Sequence, residues 1–318
     1  MIDHKLGGYL LATKLGVLSP KILFCGLATD LPKDLSTLGK SYVVKPLHGA
    51  GAVGVKVVKD GVDILSGDKV SYDKLVEEYS NIHTKEQAIV EELIESAHPK
   101  YHNLVPPDYK FHVFEGQSEM MWFVDRNKGK CKDFYDTTVK GWRFMEEFFS
   151  REHGELCPPQ EMDGQFRHYL TQDRKKALSD SVQLLASKIG PSWFRIDMFD
   201  SKHGPVIGEF TTISAMGNHL PLEGCVMSYL FIAHSKHAGF IDDTETLQMV
   251  GNFNSSEVKE TLHKMSKIVA SNEGTLGSHI NKTLDLGFSP EETQKWKGYT
   301  ELEKCNVVKK AQQELNLK

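Results

Sequence analysis

The stretch FRIDMFDSKHGPVIGEFTTISAMG, residues 194–217, holds two runs of alternating apolar and polar residues separated by SKHG, the pattern of two β-strands joined by a tight turn. Centring the turn on His203 places Asp197 opposite Glu209 and Arg195 opposite Thr211. Side chains alternate along a strand, so Arg195, Asp197, Glu209 and Thr211 share one face, while Phe194, Ile196 and Met198 share the other. Two acids facing each other across a strand pair repel, so a cationic partner is expected. Hard carboxylate oxygens so placed suit Mg²⁺, which commonly takes one or two carboxylates and completes its shell with water and phosphate oxygens. Arg195, on the same face, is then positioned to stabilise negative charge on a transferred phosphoryl group. The alternative is a solvent-facing pair whose acids Arg195 merely neutralises.

Upstream, residues 42–58 read YVVKPLHGAGAVGVKVV, with Gly49, Gly51 and Gly54 in a G-x-G-x-x-G. A dinucleotide-binding loop needs a helix directly after the glycines, and here VGVKVVKDG continues as a strand and turn. A P-loop needs G-K-[S/T], and a protein kinase needs H-R-D and D-F-G; the chain has none of these. What remains is a β-hairpin whose glycines let backbone N–H groups approach phosphates, with Lys45 on the entering strand and His48 beside the loop. A glycine-rich surface hairpin is the bland alternative.

Around these motifs, MIDHKLGGYLLATKLGV reads as an amphipathic helix with Leu6, Leu10 and Leu15 on roughly one face. ILFC and AIVEELI read as strands and SYDKLVEEY as a helix. PPDYKFHVFEG and SEMMWFVD form a strand pair, residues 126–170 read as an irregular polar loop, and residues 172–189 have helical spacing. Beyond Gly217 the chain turns helical, around residues 225–238, 255–270 and 290–315. Among 318 residues, 38 basic against 43 acidic side chains give a net charge of −5, so no basic field draws in nucleic acid. The five cysteines are odd in number and never in C-x-x-C, so neither a disulfide framework nor a zinc site is expected, and a reducing, cytoplasmic setting fits. No run of roughly 18 apolar residues marks a membrane span.

Taken together, these motifs resemble those of ATP-grasp enzymes. Lys5, in DHKLGGYLLATKLGVLSP, resembles the first-lysine helix of D-alanine–D-alanine ligases; Lys45 with GAGAVG resembles the second lysine and lid loop. EELI, residues Glu91, Glu92, Leu93 and Ile94, resembles the adenine-contacting hinge, and Arg195, Asp197 and Glu209 the metal-binding set. The similarity is closer to the TupA-like (teichuronopeptide biosynthesis) branch, through DYKFHVFEG, FVDRNKGKCKDFYD and RIDMFDSKHGPVIGEFT; that branch also has Thr, here Thr211, where others place a metal-binding Asn. Superfamily members usually carry a further α/β domain before the first lysine, so the N-terminal domain is expected to be reduced in this branch or shortened here.

The resemblance implies an α+β, ATP-grasp fold: a subdomain over residues 1–92 with the first-lysine helix and lid hairpin, a second over 93–218 with the metal site, and a helical extension over 219–318 that covers a surface or makes a homodimer. It implies ATP and Mg²⁺, with Mn²⁺ as an alternative ion, and an ATP-dependent ligase that joins a small-molecule carboxylate to an amine through an acyl phosphate. Lys5, Lys45 and Arg195 then neutralise triphosphate charge, with metal on Asp197, Glu209 and Thr211. Lys110 is a further phosphate candidate, equally read as a solvated strand lysine; Arg126 and Arg143 are candidates for the substrate carboxylate, though an arginine in a polar loop is more often merely solvated. The rival readings are an ATP-grasp kinase acting on a hydroxyl and a nucleotide-binding protein without catalysis.

Overall fold

The structure is a computed structural model that describes residues 5–48, 52–81, 87–114, 116–127, 131–137, 142–144, 170–189, 194–211 and 288–316. In chain order the elements are α1 (Lys5–Lys14), β1 (Ile22–Leu27), β2 (Ser41–Pro46), β3 (Lys56–Lys59), β4 (Val62–Asp63), α2 (Tyr72–Ser80) and β5 (Gln87–Glu92), then β6 (Asp108–Phe114), β7 (Gln117–Asp125), β8 (Cys131–Asp136), β9 (Arg143–Phe144), α3 (Gln172–Ala186), β10 (Phe194–Ser201), β11 (Gly204–Thr211), α4 (Pro290–Gly298) and α5 (Glu301–Asn316). Antiparallel pairing assembles the strands into a five-stranded sheet, β1-β5-β2-β3-β4, and a six-stranded sheet, β11-β10-β6-β7-β8-β9. No helix among the described residues is long and apolar enough to cross a membrane.

Each sheet follows from strand alternation. In the five-stranded sheet Tyr42, Val44, Val58, Ala88 and Val90 pack with Leu75 and Tyr79 of α2. That leaves the opposite face to Lys45, Ile89 and Glu91. In the six-stranded sheet Tyr109, Phe111, Phe123, Phe194, Ile196, Met198 and Phe210 join Leu178, Val182 and Leu185 of α3 in the larger core. Asp108, Lys110, Arg195, Asp197 and Glu209 are left on the other face.

Between the sheets lies α1. Its residues Leu6 through Thr13 are all buried, so the helix is wrapped all round rather than amphipathic. It packs against β11 and α5, and Gly8 meets Phe210 so closely that an added Cβ would sit 2.6 Å from the ring. The helix carrying Lys5 therefore shares the core of the six-stranded sheet.

Four further expectations are corrected. Residues 126–170 are not uniformly irregular: β8 and β9 extend the six-stranded sheet, because CKDFYD pairs in register with β7, from Met120↔Asp136 to Asp125↔Cys131. The turn of the β10–β11 hairpin is Lys202-His203, set by the pair Ser201↔Gly204, and not centred on His203. A bulge then shifts the ladder between Asp197 and Met198, leaving Gly208 without a cross-strand partner and restoring Asp197↔Glu209 and Arg195↔Thr211. The expected pairs are present because turn and bulge offset each other by one residue.

The third correction is that β5 ends at Glu92, so Leu93 and Ile94 lie beyond the strand. The fourth concerns the cysteines: Cys25 on β1 and Cys305 on α5 form a disulfide, with Cα atoms 6.4 Å apart. Packing of α5 on β1 brings together two residues whose separation of 280 positions gave no spacing signal. Of the three expected C-terminal helical segments, 290–315 is present as α4 and α5; those around 225–238 and 255–270 lie outside the described residues.

Candidate active site

The polar faces of the two sheets meet at α1. Lys45 leaves β2 on the face opposite α2, diagonal to Glu91 on β5, since Lys45 pairs with Ile89 and Val43 with Glu91. Its ammonium lies 2.7 Å from Glu91 Oε2 and donates to the Tyr9 hydroxyl at 3.0 Å. Tyr9 is fully buried, and its hydroxyl is 2.8 Å from Glu91 Oε1 and 3.2 Å from the carbonyl of Gly208, the bulge residue of β11. Burial alone would lower the Lys45 pKa, but the Glu91 charge outweighs it and holds the ammonium protonated well above its usual range. Burial and the adjacent carboxylate push the Tyr9 phenol up, so it stays neutral.

On the six-stranded sheet, Lys110 is directly opposite Asp197 and makes an ion pair with it. It lies 3.3 Å from Asp108, which Arg126 grips through Nε at 3.0 Å and a terminal nitrogen at 2.8 Å. Arg195 binds Asp197 bidentately, at 2.5 and 2.9 Å, and donates to the Thr211 hydroxyl at 3.0 Å. Burial works against ionisation of Asp197, yet Lys110 and Arg195 together hold its carboxyl down at about 2. For Arg195, burial is likewise outweighed by the Asp197 charge, and its pKa is raised. Lys5 completes the ring, 3.5 Å from Glu209. Its pKa is lowered, because burial outweighs the pull of Glu209.

Thus Lys5, Lys45, Lys110, Arg195, Asp197, Glu209, Thr211 and Glu91 are brought together. Gly54 is part of the glycine hairpin, in the left-handed region at φ +70 that a glycine tolerates, with its carbonyl accepting from the buried Tyr79 hydroxyl at 2.9 Å. His48 lies at the hairpin's entry, its Nε2 3.1 Å from Gln87 Oε1. Gly49 and Gly51 lie outside the described residues. Glu92 is exposed and binds the Lys21 backbone at 3.2 Å, so of the two hinge acids only Glu91 joins the cluster. Arg126 is committed to Asp108, and Arg143 pairs with Asp136 along the backbone.

Two members of the cluster were not singled out from the sequence. Tyr9 lies four residues after Lys5 on a helix, the spacing that stacks two side chains on one face. Asp108 lies two residues before Lys110 on a strand, and so on the same face. Both signals were present but carry meaning only once Lys5 and Lys110 are placed.

No group of three or more His, Cys, Asp or Glu side chains among the described residues is arranged to hold a metal. What is present is a facing carboxylate pair, Asp197 and Glu209, with the Thr211 hydroxyl beside it and Asp197 kept ionised. Two carboxylates match the number Mg²⁺ takes from protein when phosphates supply the rest of its shell, so the donor set fits that ion.

A family model described as TupA-like ATPgrasp matches residues 28–221. No curated protein matches the chain. Among solved structures, D-alanine–D-alanine ligase from Bacillus anthracis complexed with ATP is 16% identical, with 84% of this chain and 66% of that chain covered and a TM-score of 0.40. L-amino acid ligase from Bacillus licheniformis is 14% identical, with 68% and 42% covered and a TM-score of 0.40. The chain therefore spans less than two thirds of the length of either ligase.

Proposed function

The chain belongs to the TupA-like ATP-grasp family, and on that premise we propose that it is an ATP-dependent ligase forming an amide between a small-molecule carboxylate and an amine through an acyl phosphate. The observation that carries this reading is that Lys5 and Arg195 bind a facing pair of carboxylates, Glu209 and Asp197, on one sheet, while the Lys45–Glu91 pair of the other sheet is joined to the same strand, β11, through Tyr9. A triphosphate needs both cations and metal-binding oxygens, and a solvated strand pair needs neither.

In the proposed reaction a carboxylate oxygen attacks the γ-phosphorus and ADP leaves; the amine nitrogen then attacks the acyl carbon, loses a proton and expels phosphate. Little covalent chemistry falls to the protein, so positioning and charge dominate. Lys45 and Lys5 hold phosphate oxygens, with the β2–β3 hairpin that carries Gly54 beside them and Lys110 as a further phosphate contact. Arg195, fixed by two bonds to Asp197 and one to Thr211, needs little reorganisation to meet charge on the transferred group. Asp197 and Glu209 would hold Mg²⁺, which supplies neutralisation of phosphate oxygens when bound. The adenine contact is assigned to the stretch from Glu91 to Ile94.

The experiment is an ADP-release screen of amino acids and small carboxylates, paired in all combinations with amines, with product masses measured. A ligase releases ADP only when both substrates are present and gives a product lighter by one water than their sum. Phosphate retained on a hydroxyl acceptor would make the protein a kinase instead.

A further inference from the structure

Tyr9 stands outside the residues that the family match covers, which begin at 28, yet its hydroxyl is the point where the two sheets and Lys45 meet. The hydroxyl has one proton and faces two acceptors, one on each sheet: Glu91 Oε1 at 2.8 Å and the Gly208 carbonyl at 3.2 Å. It accepts from Lys45 at 3.0 Å. The Lys45 ammonium has three N–H donors. One is directed to Glu91 at 2.7 Å and one to Tyr9; among the described residues the third has no partner. The Tyr9 ring lies below the same ammonium, 5.7 Å from centroid to nitrogen. Burying a hydroxyl beside an ion pair is costly unless every group is bonded, and here the bonds fix the direction of the remaining N–H.

We propose that Tyr9 is a positioning residue for Lys45: it pins two edges of the ammonium so that the third N–H points at a phosphate oxygen, and through Gly208 it ties the lysine to β11 one residue before Glu209. The lysine of one sheet and the metal-binding carboxylate of the other are thereby set at a fixed separation. This rests on the nucleotide reading above.

The test compares the intact chain with Tyr9→Phe, which keeps the buried ring and removes only the hydroxyl. First, trace acetylation of the ligand-free protein, read by mass spectrometry, gives the reactivity of Lys45 relative to Lys110, a buried lysine that Tyr9 does not touch. Second, calorimetry gives the dissociation constant for Mg·ATP. We expect the Lys45 to Lys110 ratio to rise about 5- to 10-fold and Mg·ATP to bind about 10-fold more weakly. Tenfold corresponds to about 1.4 kcal/mol, the scale of one hydrogen bond to a charged group. An unchanged ratio, or both lysines rising together as in a generally loosened fold, overturns the proposal, as does unchanged Mg·ATP affinity. If the parent chain itself fails to bind Mg·ATP, the nucleotide reading falls, while the acetylation ratio still decides whether Tyr9 holds Lys45.

Discussion

Replacing Asp197 with Asn removes one negative charge from a buried face on which Lys110 and Arg195 both depend. Breaking a buried pair from one side costs about 3–5 kcal/mol, because a charge is left without a partner. Asp108 remains 3.3 Å from Lys110 but is shared with Arg126, and Thr211 keeps one bond to Arg195, so the lower end, about 3 kcal/mol, is expected. Linkage gives a similar size: a carboxyl held at about 2 instead of its usual 3.8 contributes about 2 kcal/mol. Because the folded-state value is depressed, that contribution is fully present above about pH 4 and is lost as pH falls toward 2; at pH 3 about half of it remains. Urea unfolding followed by tryptophan fluorescence should therefore give Asp197→Asn a deficit of about 3 kcal/mol at pH 7 that shrinks by about half at pH 3. Lys110→Met added to Asp197→Asn should recover part of the loss by restoring charge balance. A deficit under 1 kcal/mol at pH 7, or one that does not change with pH, would refute the ion-pair account of this face.

Three other substitutions or treatments probe the scaffold. Gly8→Ala gains about 1 kcal/mol of helix propensity but puts a Cβ 2.6 Å from the buried Phe210 ring; overpacking costs about 1–3 kcal/mol, so a net fall in melting temperature is expected, and a rise would contradict the packing of α1 on β11. Tyr79→Phe removes the 2.9 Å bond to the Gly54 carbonyl and should raise amide exchange at the glycine hairpin several-fold, for a loss of about 1 kcal/mol, with exchange in β6 and β10 unchanged. Peptide mapping without reductant should yield one species linking the peptides of Cys25 and Cys305; free alkylation of both thiols in undenatured, unreduced protein would contradict that disulfide.

The hairpin at residues 194–211 was legible because strand alternation has a period of two, and one buried face forces Phe194, Ile196 and Met198 inward. Its register was right through compensation: nothing local marked the bulge at Gly208, where an added Cβ would sit 2.7 Å from the Phe199 ring. The Lys45 strand and the fate of the glycine loop were readable because the glycines run into a second β-branched segment, VGVKVV, rather than into a helix. Less visible was everything that depends on one segment meeting another. The burial of α1 on all sides, the Cys25–Cys305 disulfide and the pairing of Arg126 with Asp108 are made by tertiary packing, and residues such as Lys14 at the end of α1 kept the helix looking amphipathic. Glu91 shows the same limit: an acid at a strand end reads equally as a ligand contact or an ion-pair partner until Lys45 is seen beside it.

The central proposal is that Lys45, joined through Tyr9 to β11 of the second sheet, holds the phosphates of Mg·ATP. Calorimetric titration of Mg·ATP into the intact chain and into Lys45→Ala tests it most directly. The account predicts saturable, Mg²⁺-dependent binding to the parent and none measurable to Lys45→Ala at the same concentrations; binding of equal affinity to both proteins would contradict it.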